Sequence, residues 1–189
     1  MGCCQANSEV DGIIALIGPP GSGRTSFMCN ATGANYQGNG NSVKCQTCKV
    51  EAGLYTDGCG HKILLIDTPG IGAPLGRGEK EISEEDVSQA VRKWLQGNRY
   101  DDRLAGILFF QQLKAKRPET PSISCFRGLC QSGVYFYSSV VLVGTMGDDT
   151  DLRRFEEGTW RNLISQGVKS LRYQNTSQSA REAISMIIK

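Results

Sequence analysis

An excess of charge of either sign is absent from this chain of 189 residues. Its 21 Lys and Arg against 19 Asp and Glu leave a formal charge of +2, and the basic residues are spread rather than clustered. That balance removes the electrostatic footprint of a nucleic-acid binder, so no nucleic-acid partner is expected. Long apolar runs are also missing. The longest, residues 104–110 and 140–143, fall far short of the roughly 20 residues that cross a bilayer. No signal-peptide pattern opens the chain, which makes a cytoplasmic protein the expectation. Eight cysteines are too few for a disulfide scaffold and would stay reduced in that compartment. Histidine is limited to His61, and no internal repeat recurs. The length suits one α/β domain with a substantial core.

What is present begins with a loop. The apolar run Ile13-Ile14-Ala15-Leu16-Ile17 leads into Gly18-Pro19-Pro20-Gly21-Ser22-Gly23-Arg24-Thr25-Ser26, a phosphate-cradling pattern with arginine where lysine is usual. Glycines at 18, 21 and 23 let the backbone wrap closely around an anion. Its amide hydrogens then point at phosphate oxygens, at the positive end of the following helix. The Thr25 hydroxyl is placed to ligate Mg²⁺ on the β and γ phosphates. Arg24 takes the place of the lysine that reaches those phosphates. It keeps the charge but exchanges a compact ammonium for a planar fork, so binding is expected to survive better than hydrolysis.

Short continuous apolar runs at residues 13–17, 62–66, 104–110 and 140–145, and a weaker one at 171–174, suit strands buried on both faces of a parallel sheet. Helical patterns lie between them. Ser83 with Asp86 makes a capping box, after which Val87, Val91, Trp94 and Leu95 share a face and Gly97 ends the helix. Phe155, Trp160, Leu163 and Ile164 mark a second helix, and Ala180, Ile184, Ile187 and Ile188 a last one. Residues 33–41, rich in Gly and Asn, read as a mobile surface loop. The alternation predicts a three-layer α/β fold with a mostly parallel central sheet and ligand binding at the carboxyl ends of the strands.

Three further segments fit a nucleotide site. Asp67-Thr68-Pro69-Gly70 ends one strand; Asp67 can hold a Mg²⁺ water and the Gly70 amide can donate to a γ phosphate. Thr145-Met146-Gly147-Asp148 ends another, and the Asp148 carboxylate can accept the N1 and N2 hydrogens of guanine, which adenine lacks. A solvated turn and helix start would use the same acids. Thr47 lies where a loop sensing the γ phosphate through Mg²⁺ would sit. Ile71 follows Gly70 and cannot orient an attacking water, so hydrolysis has to rely on metal and backbone electrostatics or on a partner's group.

Residues 18–27, Asp67-Thr68-Pro69-Gly70, the strand at 104–108, residues 140–148, Trp160 and Asn175-Thr176 together resemble the fungal G domain-containing proteins related to the avirulence-induced, immune-associated GTPases. The likeness runs from about residue 11 over most of the chain. It implies a P-loop GTPase fold holding GTP or GDP and Mg²⁺ at the strand tips. Relatives often pair through their G domains, which makes a homodimer an expectation. The resemblance makes Gly18, Gly21, Gly23, Arg24 and Thr25 phosphate contacts, Asp67 and Gly70 the metal and γ-phosphate sensor, and residues 145–148 the base-reading segment. Asn175 to Ser177 become the last loop touching the base. Arg24, Thr25, Thr47 and Gly70 are the candidates for catalysis, with Thr25, Thr47 and Asp67 at the metal. The chain departs from the pattern at Arg24 and lacks the Asn-Lys or Thr-Lys start common before the base-reading Asp.

The expected organisation is a tail over residues 1–10 and a G domain over 11–189. In the tail, Gly2 is a myristoylation acceptor and Cys3 and Cys4 palmitoylation sites, a two-signal anchor to a cytosolic membrane face, although Ala6 stands where Ser or Thr is preferred. An unmodified tail is the alternative. Cys45, Cys48, Cys59 and His61 offer one Cys-x-x-Cys pair; small buried thiols on neighbouring strands are the plainer reading and zinc the alternative. Cys125 and Cys130 read as helix-core positions. The functional expectation is a guanine nucleotide switch with slow or partner-dependent hydrolysis, with a non-hydrolysing interaction module or a P-loop ATPase or nucleotide kinase as alternatives.

Overall fold

The central strand is β1, Gly12–Ile17, and every one of its residues is buried. Its side chains alternate between two cores, as the two-residue period of a strand requires: Ile13, Ala15 and Ile17 enter one, Ile14 and Leu16 the other. The computed structural model describes residues 10–33, 50–74, 81–100, 104–115, 122–130 and 136–188. The tail residues Gly2, Cys3 and Cys4, and residues 34–49 with Cys45, Thr47 and Cys48 among them, lie outside the described residues.

Around β1 the chain lays down α1 (Arg24–Thr32), β2 (Glu51–Thr56), β3 (Lys62–Asp67), α2 (Glu84–Gly97), β4 (Leu104–Gln112), β5 (Val140–Thr145), α3 (Asp149–Glu157), α4 (Arg161–Ser165), β6 (Lys169–Arg172) and α5 (Ser177–Ser185). Two 3-10 segments, Ile123–Leu129 and Phe136–Ser139, lie between β4 and β5. The sheet order is β2-β3-β1-β4-β5-β6. All pairings are parallel except β2 with β3. One core places Val87, Val91 and Leu95 of α2 with Phe155 of α3, Trp160 and Leu163. The other places Phe27 and Met28 of α1 with Ala180, Ala183 and Ile184 of α5. This is the expected three-layer α/β fold with a mostly parallel sheet. The order reverses at β1, which has β3 on one side and β4 on the other. The loop leaving its carboxyl end therefore opens into the crevice where such sheets bind ligands.

Local signals produced the expected helix at α2. The Ser83 hydroxyl accepts the Asp86 amide, the Asp86 carboxylate accepts the Ser83 amide, and Val87, Val91 and Leu95 are buried. The apolar pattern of residues 155–164 does not give one helix. It is divided at Gly158 into α3 and α4, with Trp160, fully buried, at the start of the second. The last helix ends at Ser185, so Ile187 and Ile188 follow it rather than belong to it. Strand β2 carries no apolar run, and only Tyr55 in it is buried. It is an edge strand whose existence depends on pairing with β3, from Glu51 opposite Asp67 to Thr56 opposite Lys62. No described helix is long and apolar enough to cross a membrane.

Candidate functional site

The loop after β1 is built by its glycines. Gly21 and Gly23 take φ of 72° and 95°, a region that side chains with a Cβ rarely adopt. A Cβ on Gly18 would run into the Phe110 carbonyl oxygen. Two side chains hold the loop from beneath: Gln112 Nε2 donates to the Gly21 carbonyl at 2.9 Å and Thr145 Oγ1 to the Ser22 carbonyl at 2.9 Å. With its carbonyls taken by β4 and β5, the loop turns toward the start of α1. That helix begins at Gly23 with no side-chain cap and no acid in its first turn. Its leading amides thus take no side-chain cap, and its dipole puts a partial positive charge at the loop. The Ser22 hydroxyl is buried with no hydrogen-bond partner among the described residues. An orphan donor and an uncapped helix start are what a bound anion would satisfy.

The segment after β3 lies directly against this loop. A Cβ on Gly70 would sit 2.9 Å from Pro20 Cγ and 3.0 Å from Pro20 N, so only glycine allows the approach. The Ile71 amide donates to the Gly18 carbonyl at 3.1 Å, and Thr68 Oγ1 to the Leu16 carbonyl at 2.9 Å. Thr25 Oγ1 donates to Asp67 Oδ2 at 3.1 Å. Two of the three oxygen donors expected at the metal are therefore side by side, the third, Thr47, lying outside the described residues. Hard oxygen ligands of this kind suit Mg²⁺. Burial pushes the Asp67 carboxyl above its ordinary range, while the Arg24 guanidinium and the Thr25 hydroxyl pull it back.

Arg24 is turned to this segment. It is 7% exposed, and its Nη1 donates to the Thr68 carbonyl, to Thr68 Oγ1 at 3.2 Å and to the Pro69 carbonyl at 3.4 Å. The same nitrogen lies 3.4 Å from Asp67 Oδ1.

Beside the loop is a cleft of about 320 Å³. Thr145, Met146 and Gly147 from the end of β5 form one wall, and Arg172, Tyr173, Gln174 and Asn175 from the end of β6 another. Gly23 and Ser26 close it, so the cleft and the anion cradle share the start of α1. The β6 wall is fixed by Tyr173, which packs its ring on Phe27 with centroids 5.2 Å apart and accepts a 2.7 Å hydrogen bond from Asn30 Nδ2. Asn30 also donates to Asn175 Oδ1 at 3.0 Å, holding that residue at a φ of 57°. Arg172 Nε donates to Asp149 Oδ1 at 2.6 Å and ties the two walls together.

Asp148 has a second task. Its Oδ1 accepts the amides of Thr150 and Asp151, both at 2.9 Å, and so caps α3. The Asp151 amide, with that of Thr150, holds its carboxyl below the ordinary range. Asp148 is not among the residues lining the cleft. The structure thus brings together residues 18–26, Asp67, Gly70, Thr145 and Asn175, with Asp148 one step beyond the wall. Gln112 and Tyr173 were missed by the sequence reading. A polar Gln111-Gln112 pair ending an apolar strand was the available signal for the first.

The cysteines need correction. Cys59 is exposed rather than buried, on the turn between β2 and β3, with its ligand atom and those of Asp57 and His61 all within 4.8 Å of one another. Asp57 accounts for the cluster as a hairpin turn. One oxygen accepts the Cys59 and His61 amides at 2.8 and 2.9 Å, and the other lies 2.8 Å from His61 Nδ1. Cys125 is half-buried on a 3-10 segment and Cys130 buried just after it, and burial pushes their thiols up to about 11 and about 12.

Among solved structures, an Era variant from Aquifex aeolicus bound to GDP·AlF4⁻ is similar, with a TM-score of 0.64 and 16% identity over 94% of this chain and 57% of that one. A bacterial selenocysteine-specific elongation factor EF-Sec follows at 0.61 and 12%, over 95% and 29%. The FeoB G-domain from Methanococcus jannaschii gives 0.50 and 16%, over 93% and 96%. At these identities the likeness concerns the fold. This chain spans less than two thirds of the Era and EF-Sec chains it matches. No match is found among curated proteins. In sequence, the profile of the family described as 50S ribosome-binding GTPase matches residues 13–119, more than half of the chain, from β1 through the phosphate loop and the Asp67 segment to just past β4. By that match the chain belongs to this family of P-loop GTPases.

Proposed function

We propose that this chain binds GTP and GDP and acts as a nucleotide-dependent switch with slow or partner-dependent hydrolysis. The observation that carries the reading is the uncapped start of α1, wrapped by Gly18 to Gly23, opening beside a cleft at the ends of β5 and β6. Polyphosphate belongs to the first and a purine base to the second. Residues 18–26 hold the phosphates, Gly70 donates to the terminal one, and Asn175 and Asp148 meet the base. Thr25 and Asp67 are the oxygen donors for Mg²⁺, which when bound would neutralise charge on the β and γ phosphates. Ile71, partly buried against the core, supplies no polar group to orient water. The kinship with the avirulence-induced, immune-associated GTPases belongs to the same proposal and rests on the residues that resemble them.

Calorimetric titration of GDP, GTP and ATP is the test. Binding of both guanine nucleotides at least about tenfold tighter than ATP is expected, and a preference for ATP overturns the guanine assignment. Single-turnover phosphate release is expected at or below about 10⁻³ s⁻¹, the range of unassisted small GTPases. A specific observation favours a second reading, a nucleotide-binding module without hydrolysis: Arg24 is committed to residues 67–69. Undetectable phosphate release in the native chain, restored by Arg24→Lys, selects it.

A further inference from the structure

Arg24 stands beside Asp67, one of the oxygen donors of the expected metal site. Its Nη1 is 3.4 Å from Asp67 Oδ1, and it also donates to the Thr68 carbonyl, Thr68 Oγ1 and the Pro69 carbonyl. Asp67 Oδ2 accepts the Thr25 hydroxyl at 3.1 Å. The side chains of the pair are only 8% and 4% exposed, so water screens their charges little. A guanidinium in a protein is not deprotonated, which makes this positive charge permanent. A divalent ion approaching Asp67 therefore meets a carboxylate already balanced by a neighbouring cation. All four contacts are made by Nη1, at the end of a guanidinium that a lysine ammonium on its four-carbon stem does not reproduce. The same nitrogen ties the phosphate loop to the segment that carries Gly70.

We propose that Arg24 supplies from within the fold the positive charge at Asp67 that a divalent ion otherwise brings, so that the chain holds a guanine nucleotide with little dependence on Mg²⁺. The inference rests on the guanine nucleotide reading above and makes Arg24 a positioning residue for the Asp67 segment.

The experiment measures GDP affinity of the full chain in Mg²⁺ and in EDTA, with Arg24→Lys beside it. The native chain is expected to change by less than about threefold on removal of the metal, and Arg24→Lys to lose at least about tenfold, because only the variant leaves Asp67 to the ion. A tenfold or larger loss in the native chain overturns the inference whatever the variant does, and so does an Arg24→Lys protein as indifferent to EDTA as the native one. Mn²⁺ binding to the native GDP complex, followed by electron paramagnetic resonance, gives a second readout that needs no variant. Affinity weaker than about millimolar supports the inference and micromolar affinity overturns it. If GDP binds in neither buffer to either protein, it is the guanine nucleotide reading that fails, and the inference falls with it.

Discussion

Removing the Arg24 guanidinium would take from the buried Asp67 carboxylate a neighbouring positive charge that its hydrogen bonds with the Thr25 hydroxyl and the Thr68 amide do not replace. Breaking a buried ion pair from one side typically costs about 3–5 kcal/mol, far more than the pair itself contributes. Arg24→Ala is expected to lose stability in that range at pH 7, measured by urea denaturation. The pH dependence follows from the direction in which burial already moves Asp67, which is upward. In the variant the folded state keeps a proton on Asp67 at pH values where the unfolded chain, with its ordinary value of 3.8, has released it. The folded state then binds more protons, so stability is regained as pH falls from 7 toward 4. A loss that does not shrink on acidification would mean that Asp67 is not the group left uncompensated.

Helix α3 starts on Asp148, and the same residue is the candidate reader of guanine. The two tasks separate by substitution, since asparagine caps a helix about as well as aspartate but cannot present two acceptor oxygens to the base. Asp148→Asn is expected to keep the helix content and melting temperature of the native chain while losing the preference for GTP over ATP. Circular dichroism and competitive binding check the two halves. An unchanged preference would assign base selection to the β6 wall, from Arg172 to Asn175. The Asp148 carboxyl is held below its ordinary value of 3.8 by the amides it caps, so the charge-assisted part of its capping is present above that pH and fades as pH falls through the lowered folded value.

At the scale of the whole molecule, one sheet is covered on both faces and its C-terminal segment is pinned across the middle strands. A Cβ on Gly106 of β4 would meet the Ser139 carbonyl oxygen and lie 2.7 Å from Ile187 Cγ2. Neither neighbour yields cheaply, because one is backbone and the other belongs to the segment packed beside β1 and β4. Gly106→Ala is expected to cost about 1–3 kcal/mol in chemical denaturation, as overpacking of a filled site does. Gly58→Ala, at a position with no heavy atom within 4 Å of the new Cβ, is the control and is expected to stay within about 0.5 kcal/mol. Equal effects would mean that Gly106 is not a packing contact between sheet and C-terminal segment.

Much of this was legible in the order of residues. Continuous apolar runs wrote the buried strands, and three glycines wrote the phosphate loop, because an anion held by amides requires a backbone without obstruction. Ser83 with Asp86 wrote a helix start, since capping is settled within four residues. What the chain order left open is governed by distance along the chain. Arg24 meets Thr68 across 44 positions, Gly70 rests on Pro20, Gln112 holds Gly21, and β2 exists through β3. The first three follow from parallel strands stacked in register, with Leu16 beside Asp67 and Gln112 beside Thr145, and the last from an antiparallel pair. Local chemistry thus decided which pieces form, while strand pairing decided which side chains share one crevice and turned the arginine toward a carboxylate.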